Sequence, residues 1–386
     1  MRVLILSFSE VSRDPRVLRQ IRALHDHADL SVAGFGSFPD ADLSFFSIGK
    51  KRRSVLWKIL AFITLLLGFF RLHYWWQLEF PRVALALLGN ARFDVILAND
   101  VNTLPLAFAL SRGDCPVLLD AHEFSPGEFS GLVWRLSIGR LYHWICIRWL
   151  RKVELMSSVC HEIGDLYRAK YGKGADFIVY NVPRTPEPVG PISLPRESSS
   201  RTIRLVHHGS AEPERRLERM VQMMDMLDDR FSLDLFLVGH LSPYAKGLAK
   251  YTYRQNSVRV LPPLRSQEIV PALSQYDIGV YLLSPESKNN LFALPNKFFD
   301  FVQAGLALAI GPSPAMERIV RDEGLGVVAS DFHPSSLAAL LVSMTSEQLS
   351  LFQSNSCACR SRYTSELAEE EVLMRVLSLS NDRLTR

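Results

Sequence analysis

The sequence predicts an α/β protein with two Rossmann-like domains that face each other across a cleft. Three observations support this: the length of 386 residues, the alternation of short apolar runs with helical patterns in both halves, and a proline- and serine-rich interruption between them. At roughly 100–200 residues per domain, the length fits two domains. Strands that alternate with helices are typical of parallel sheets covered on both faces.

The N-terminal domain is predicted over residues 1–183. A helix is expected over Arg16–His25, directly after Asp14-Pro15, because apolar residues recur there on one helical face. The predicted strands are Val3–Phe8, Leu30–Phe35, Val95–Ala98 and Val117–Leu119.

Residues 184–201 are predicted to be a linker, and the α/β pattern then restarts in a second domain over 202–364. The C-terminal residues 365–386 contain a final helix pattern, Ser365–Leu379. The predicted strands of the second domain are Ile203–His207, Leu233–Val238, Val258–Leu261, Ile278–Leu282 and Leu308–Ile310, and its predicted helices are Arg216–Leu227, Gln267–Ser274 and Leu294–Gly305.

The composition narrows the class of protein. A net charge of +4 is too small to favour a nucleic-acid partner. The five cysteines are an odd number at scattered spacings, which predicts free thiols in a reducing compartment. The start, MRVLILSF, has no basic region before its apolar run and is interpreted as a first strand and not as a signal peptide.

The segment 48–82 departs from the α/β pattern. It has seven cations against the single anion Glu79, a charge-free run over Ile59–Phe70 and a flanking Tyr-Trp-Trp. Twelve apolar residues are fewer than the roughly 20 that span a bilayer. The pattern favours a helix lying on an anionic membrane surface, and 134–152 has a similar composition. The alternatives are ordinary core helices with extended basic side chains and a spanning helix.

The stretch LPNKFFDFVQAG, Leu294–Gly305, carries the clearest chemistry. Pro295 suits the first turn of a helix, whose N-terminus favours an anion such as a phosphate. Asn296 and Lys297 stand in that turn, and Asp300 follows on nearly the same face. Lys297 is a cation that can bind a phosphate, and Asp300 is a carboxylate that can accept hydrogen bonds from a ribose diol. Together they predict a nucleotide site; the alternative is a solvated Lys–Asp pair.

A second candidate is HHGSAEPERR, which joins a predicted strand to a predicted helix. Gly209 would let the backbone approach a ligand, and Arg215 and Arg216 suit a diphosphate. In the N-terminal half, His122 follows a strand, where a histidine can hydrogen-bond a sugar hydroxyl or move a proton. The alternative for the first is a loop with two exposed arginines, and for His122 it is a structural histidine. No combination of residues has the spacing of a metal site.

Taken in order, these segments resemble the bacterial GT-B glycosyltransferases of the large retaining, glycogen-synthase-like group, the family 4 or group 1 type. The matching segments are SRDPRVLRQIRAL, ANDVNTLP, LLDAHEF, IVYNVP, HHGSAEPERRLERMV and LPNKFFDFVQAGLALAIG. The resemblance implies an acceptor-binding N-terminal domain, a nucleotide-sugar-binding C-terminal domain and a last helix that can cross back to the first domain. It also implies metal-independent transfer with retained configuration and no cofactor.

By the same resemblance, His122 contacts the donor sugar, Arg216 with Arg215 binds the diphosphate, and Asp300 holds the ribose. The chain departs from the family where many members have two glutamates eight residues apart: the second aligns with Asp300, but the first position is Phe292. We expect Asn296 and Lys297 to take over part of the missing role.

The sequence thus predicts a glycosyltransferase of surface polysaccharide or glycolipid synthesis on the cytoplasmic face of the cell membrane. Its expected partners are a nucleoside-diphosphate sugar, most simply UDP-linked, a lipid-linked or saccharide acceptor, and an anionic membrane surface. A non-catalytic sugar-nucleotide-binding scaffold and a nucleotide-sugar epimerase of the same fold are the alternatives.

Overall fold

The computed structural model describes residues 1–38, 43–49, 54–184, 202–251, 257–285 and 287–384. These divide into two compact units. Unit 1 comprises the described residues of Met1–Tyr180, Ser287–Asn289 and Leu367–Arg386, and unit 2 those of Asn181–Glu286 and Asn290–Glu366. Apart from Arg184, the predicted linker 184–201 lies outside the described residues, and so does the basic run 50–53.

Unit 1 is built on a parallel sheet. Its described strands are β1 (Arg2–Glu10), β2 (Asp29–Phe35), β3 (Ser44–Ser47), β4 (Val95–Asn99), β5 (Val117–Ala121), β6 (Leu155–Ser158) and β7 (Phe177–Ile178). They are ordered β3-β2-β1-β4-β5-β6-β7. Every residue of β4 and β5 is buried, as expected for apolar runs in a sheet covered on both faces.

The helices of unit 1 follow these strands in the chain. They are α1 (Pro15–Leu24), α2 (Val55–Leu66), α3 (Phe70–Leu72), α4 (Phe80–Leu88), α5 (Leu104–Ser111), α6 (Leu132–Leu136), α7 (Ile138–Trp149) and α8 (His161–Tyr171). Helix α1 starts one residue earlier than predicted, because the Asp14 side chain caps it by accepting from the backbone N–H groups of Arg16 and Val17.

Unit 2 repeats the architecture. Its described strands are β8 (Ile203–Ser210), β9 (Phe231–Val238), β10 (Val258–Leu261), β11 (Ile278–Tyr281), β12 (Ala307–Ile310) and β13 (Gly326–Val328). They are all parallel and ordered β10-β9-β8-β11-β12-β13. The helices after β8 in the chain are α9 (Glu218–Met223), α10 (Pro243–Gly247), α11 (Ser266–Leu273), α12 (Lys288–Phe292), α13 (Asn296–Ala304), α14 (Pro314–Glu323), α15 (Pro334–Ser343), α16 (Ser346–Cys359) and α17 (Ser365–Leu384). Of these, the start of α12 and nearly all of α17 belong to unit 1.

Both sheets have the Rossmann order, in which the first strand lies between the second and the fourth. The prediction of two Rossmann-like α/β domains is therefore confirmed. In such sheets the order of the strands reverses beside the first strand, and ligands bind at the carboxyl ends of the strands at that point. For unit 2 this point lies between β8 and β11.

Helix α13 is anchored beside this point. All its side chains from Lys297 to Ala304 are buried. It packs so closely on β11 that a Cβ on Gly279 would lie 2.4 Å from the Phe301 ring. At its far end the Gln303 amide donates to the carbonyls of Tyr363 (2.6 Å) and Arg360 (3.0 Å). The first turn of α13 is thereby held in a fixed place.

Candidate functional site

The candidate site of unit 2 starts at the carboxyl end of β8, where the chain reads His207-His208-Gly209. His207 is completely buried, and its ring Nδ1 lies 2.8 Å from the Val280 carbonyl oxygen of β11. Its other ring nitrogen, Nε2, lies 3.4 Å from Nζ of Lys297 on α13. The first turn of α13 thus meets the end of β8.

Lys297 and Asp300 point to neighbouring places at this strand end. They are three residues apart on α13 and are 7% and 6% exposed. The Asp300 carboxylate oxygen Oδ2 lies 3.2 Å from His208 Nε2, although the two atoms are not aligned for a hydrogen bond. Consecutive histidines of one strand therefore contact the two polar side chains that the sequence assigns to a nucleotide.

The electrostatics of Lys297 are unusual for a lysine. Burial, followed by the nearby positive charge of Arg215, lowers its pKa to about 7, while Asp300 and Glu212 oppose the shift. Its Nζ also lies 5.6 Å from the centre of the Tyr281 ring. Because the ammonium is incompletely compensated by these neighbours, a bound anion would favour its protonated form.

The two predicted arginines have different surroundings. Arg215 ends a short 3-10 turn, lies 3.3 Å from Glu212, and its charge acts on both Lys297 and His207. The backbone of Arg216 is in the left-handed region, with φ of 52°, and its guanidinium lies 3.8 Å from the Glu218 carboxylate. The predicted helix start at Arg216 is wrong, because this left-handed residue separates the turn from α9.

Gly209 lies directly against Lys297. Its φ of +146° is a conformation that L side chains rarely adopt, and a Cβ built there would lie 2.3 Å from Lys297 Nζ. Asn296, the remaining predicted residue of this group, is the exposed first residue of α13. The N-terminus of a helix carries the positive end of its dipole, which favours anions.

Replacing Gly209 with alanine is expected to weaken UDP binding at least tenfold, because the added methyl occupies the place of the lysine ammonium. The strained backbone should also cost about 1–2 kcal/mol of stability. Isothermal titration and thermal melts measure the two effects. Gly247→Ala is the matched control, since a Cβ there meets nothing within 4 Å. UDP binding of Gly209→Ala equal to wild type would contradict the proposed contact.

In unit 1 a polar cluster lies at the corresponding ends of β1, β4 and β5. Arg16 lies between the carboxylates of Asp14 (3.3 Å) and Asp100 (3.2 Å). Asp100 itself has φ of 63° and accepts from the backbone N–H of His122. Burial, followed by the charges of Arg16 and Arg19, keeps the pKa of His122 well below its ordinary value, so the ring is neutral at pH 7.

A second, deeper network supports this cluster. The Gln20 amide donates to Asn99 Oδ1 (2.8 Å) and Asp120 Oδ2 (2.9 Å), and the Ser157 hydroxyl donates to Asp120 Oδ1 (2.8 Å). Burial raises the pKa of Asp120. From the sequence, Asn99 was expected at the carboxyl end of a strand, but Gln20, Asp120 and Ser157 were missed. Asp120 and Ser157 are polar residues near the ends of buried strands, which is the signal that could have found them.

Of the predicted site residues, the structure brings together Gly209, Arg215, Lys297 and Asp300 in unit 2. Arg216 and Asn296 adjoin this group, and His122 lies in the polar cluster of unit 1. Across the described ranges, no group of three or more His, Cys, Asp or Glu side chains is placed to hold a metal ion. Sequence reasoning missed the roles of His207 and His208 as the partners of Lys297 and Asp300.

No protein-family model matches the chain, and no curated protein is significantly similar to it in sequence. Solved structures do match. The HepE protein of Anabaena, in complex with UDP, is 14% identical with a TM-score of 0.68, over 98% of this chain and 100% of that chain. Sucrose-phosphate synthase from Thermosynechococcus elongatus is 12% identical with a TM-score of 0.71, over 100% and 99%.

The α,α-trehalose 6-phosphate synthase from Burkholderia multivorans is 12% identical with a TM-score of 0.66, over 100% of this chain and 98% of that chain. These structures are GT-B glycosyltransferases. Because these structures match nearly the whole chain, they show its fold, which is two Rossmann-like domains of the GT-B type.

Proposed function

We propose that the protein is a glycosyltransferase that uses a nucleoside-diphosphate sugar, with UDP as the nucleotide. The observation that carries the proposal is the buried Lys297 at the start of α13, placed against Gly209 at the end of β8. This contact lies where the strand order of the sheet reverses, which is where ligands of Rossmann-like domains bind. A diphosphate there would meet a cation, a helix N-terminus and a closely approaching backbone. HepE in complex with UDP and with UDP-glucose supports uridine as the base.

In this proposal Lys297, Arg215 and Arg216 stabilise the negative charge of the departing diphosphate, and Asp300 accepts hydrogen bonds from the ribose diol. The bond between the anomeric carbon and the β-phosphate oxygen breaks. The acceptor hydroxyl oxygen forms the new bond to that carbon, and its proton passes to the departing phosphate. Because the chain supplies its own cations, we propose transfer without a metal ion. Retained configuration is proposed on the family resemblance alone.

The neutral His122 ring is proposed to hydrogen-bond the sugar. Burial and the charges of Arg16 and Arg19 keep it unprotonated at pH 7, so it offers one donor and one acceptor nitrogen. A sugar hydroxyl can donate to the acceptor nitrogen or accept from the donor nitrogen. The polar cluster around Asp100 and Arg16 would then help to orient hydroxyl groups of the substrates.

A panel of nucleotides tests the proposal by thermal shift. UDP and UDP-sugars at 100 times their dissociation constants are expected to stabilise the protein by about 2.7 kcal/mol, because they bind only the folded chain. The shifts should be the same with and without EDTA. If no nucleoside diphosphate raises the melting temperature, the proposal is wrong; if ADP or GDP does so in place of UDP, only the choice of base is wrong.

We further propose that unit 1 attaches to an anionic membrane surface and that the acceptor is presented there, in polysaccharide or glycolipid synthesis on the inner face of the cell membrane. Helix α2 supports this. Apart from Lys58 and Thr64 its residues are apolar, yet only Thr64 and Leu65 of the helix are buried, and Leu56 is 80% exposed. A helix that is hydrophobic all round is normally buried in a core or in lipid.

The apolar surface continues from α2 to α6 and α7. The Arg140 guanidinium donates to the Leu66 carbonyl (2.9 Å), and the Phe70 and Trp144 rings lie 5.8 Å apart. The exposed apolar side chains of these segments are Val55, Leu56, Ile59, Leu60, Phe62, Ile63, Leu66, Leu67, Phe69, Leu72, Trp76, Phe129, Leu132, Val133, Leu136, Ile138 and Ile147. A contiguous apolar surface of this extent is typical of an interaction site.

Charge identifies lipid as the proposed partner of this surface. Residues 54–78 and 129–153 contain seven lysines and arginines and no acidic residue. One of them, Arg148, places its guanidinium group over the Trp144 ring, and Arg82, just beyond the first segment, places its own over the exposed Trp76 ring. Exposed cations beside exposed apolar and aromatic side chains suit the headgroup region of an anionic leaflet. No helix within the described ranges has the length and apolar character to cross a membrane.

A further inference from the structure

His207 lies completely buried near the carboxyl end of β8, and its two ring nitrogens both face polar atoms. A carbonyl oxygen can only accept, so the Nδ1 atom facing the Val280 carbonyl at 2.8 Å must carry the ring proton. In the neutral ring Nε2 is then unprotonated, and its lone pair faces Lys297 Nζ at 3.4 Å. The strand neighbour therefore fixes the tautomer that can accept from the lysine.

We propose that His207 is a positioning residue for nucleoside-diphosphate binding: by accepting from Lys297 it holds the lysine ammonium at the carboxyl end of β8. A lysine side chain has four flexible methylene groups, and an acceptor at its tip removes the freedom that binding would otherwise have to restrict. This inference rests on the proposed function for the identity of the ligand, but the tautomer of His207 does not depend on it.

Burial and the charged and titratable groups around Lys297 keep His207 neutral, so that it acts on the lysine only as a hydrogen-bond acceptor. Burial, and then the charge of Lys297, keep the pKa of His207 well below its ordinary value, so the ring does not compete as a cation. The groups that face Lys297 are Asp300 on its own helix, His207 on β8, Arg215 and Glu212 in the turn that follows, and Tyr281 on β11.

Two variants of His207 separate the loss of the hydrogen-bond acceptor from a change in side-chain volume. Gln can replace the imidazole with both an amide donor and a carbonyl acceptor, whereas Met fills similar space with neither. We expect His207→Met to raise the Kd for UDP at pH 7.5 at least tenfold, the typical effect of a lost bond to a charged group, and His207→Gln to raise it less than threefold. Isothermal titration on the full chain measures both, with thermal melts confirming that the variants fold.

The pH profile is the readout that a structural role would not move. UDP affinity of the wild type should fall as pH rises above about 7, because free Lys297 is then unprotonated and binding must take up a proton. In His207→Met the ammonium loses its acceptor, so this decline should begin at lower pH. Equal affinity and an unchanged profile in His207→Met would overturn the inference.

Ring-nitrogen NMR supplies a test without ligand. His207 should show the neutral Nδ1–H tautomer from pH 8 down to pH 5. An Nε2–H tautomer or a protonated ring in that range would overturn the inference, whatever UDP does. If wild-type protein bound no nucleoside diphosphate, the proposed function would fail separately, and the tautomer alone would then support or reject the contact between His207 and Lys297.

Discussion

Lys297→Met is expected to reduce glycosyl transfer at least about a hundredfold, to weaken UDP binding, and to raise the melting temperature. The loss is the usual scale for removing one preorganised group that stabilises developing negative charge. The gain in stability follows from the cost of burying a lysine: its pKa is about 7 in the folded chain and 10.5 as an ordinary side chain. Methionine fills similar space without that cost.

The stability gained by Lys297→Met depends on pH. A lysine pKa that is lower in the folded state means that the unfolded chain binds more protons between pH 7 and 10.5. The penalty is therefore complete below pH 7 and disappears as pH rises through 10.5. The stabilisation of Lys297→Met, on the order of 5 kcal/mol, should be present at pH 6–7 and vanish near pH 10.5.

Activity assays with a UDP-sugar and thermal melts across this range check both effects. Lys246→Met is the control, because Lys246 is an exposed lysine on α10 of the same unit. It should change neither property. If activity and stability of Lys297→Met fell together, the lysine would be a structural residue; if activity were retained, it would not serve the diphosphate.

Leu56→Asp combined with Leu67→Asp is expected to lower the binding of the protein to anionic vesicles at least a hundredfold. Each leucine inserted in lipid contributes about 1.5–3 kcal/mol, and the new aspartates add repulsion from the anionic lipid. The fold should be unaffected, since both side chains are exposed. Sedimentation with vesicles of phosphatidylcholine and 30% phosphatidylglycerol at low salt measures the loss.

The matched control is Leu241→Asp with Leu351→Asp, two exposed leucines of unit 2. This variant should sediment with vesicles as wild type does. Raised salt should weaken wild-type binding, because it screens the basic residues beside the apolar surface. Wild-type protein that stays in the supernatant at low salt, or an α2 variant that sediments normally, would refute membrane attachment through this surface.

Helices and strands were predictable where the periodic pattern of apolar residues is long or uninterrupted. Strand β10 has the predicted bounds, and α1 is displaced by one residue because Asp14 caps it. Short strands such as β7 and β13 have too few residues for a period and were not predicted. The helix predicted from Arg216 starts later, because the left-handed conformation of that residue comes from the packing of a turn and not from local propensity.

The part of the candidate site that depends on helical periodicity was predictable from the sequence. Residues three apart on a helix share a face, so the proximity of Lys297 and Asp300 followed from spacing alone. Their contacts with His207 and His208 join residues about 90 positions apart in the chain, and only the sheet order that places α13 beside β8 creates them. The lowered pKa of Lys297 depends on burial and on Arg215, neither of which a linear pattern reveals.

The close packing of α13 restricts how this chain could change its substrate. Because the apolar side chains of the helix, such as Phe298, Phe299 and Phe301, are enclosed, substituting any of them would disturb the interior without changing a ligand contact. Attempts to redesign donor preference should therefore randomise the loops that follow β8 and β9 and leave the helix invariant. Natural drift toward new sugars would be confined to the same loops.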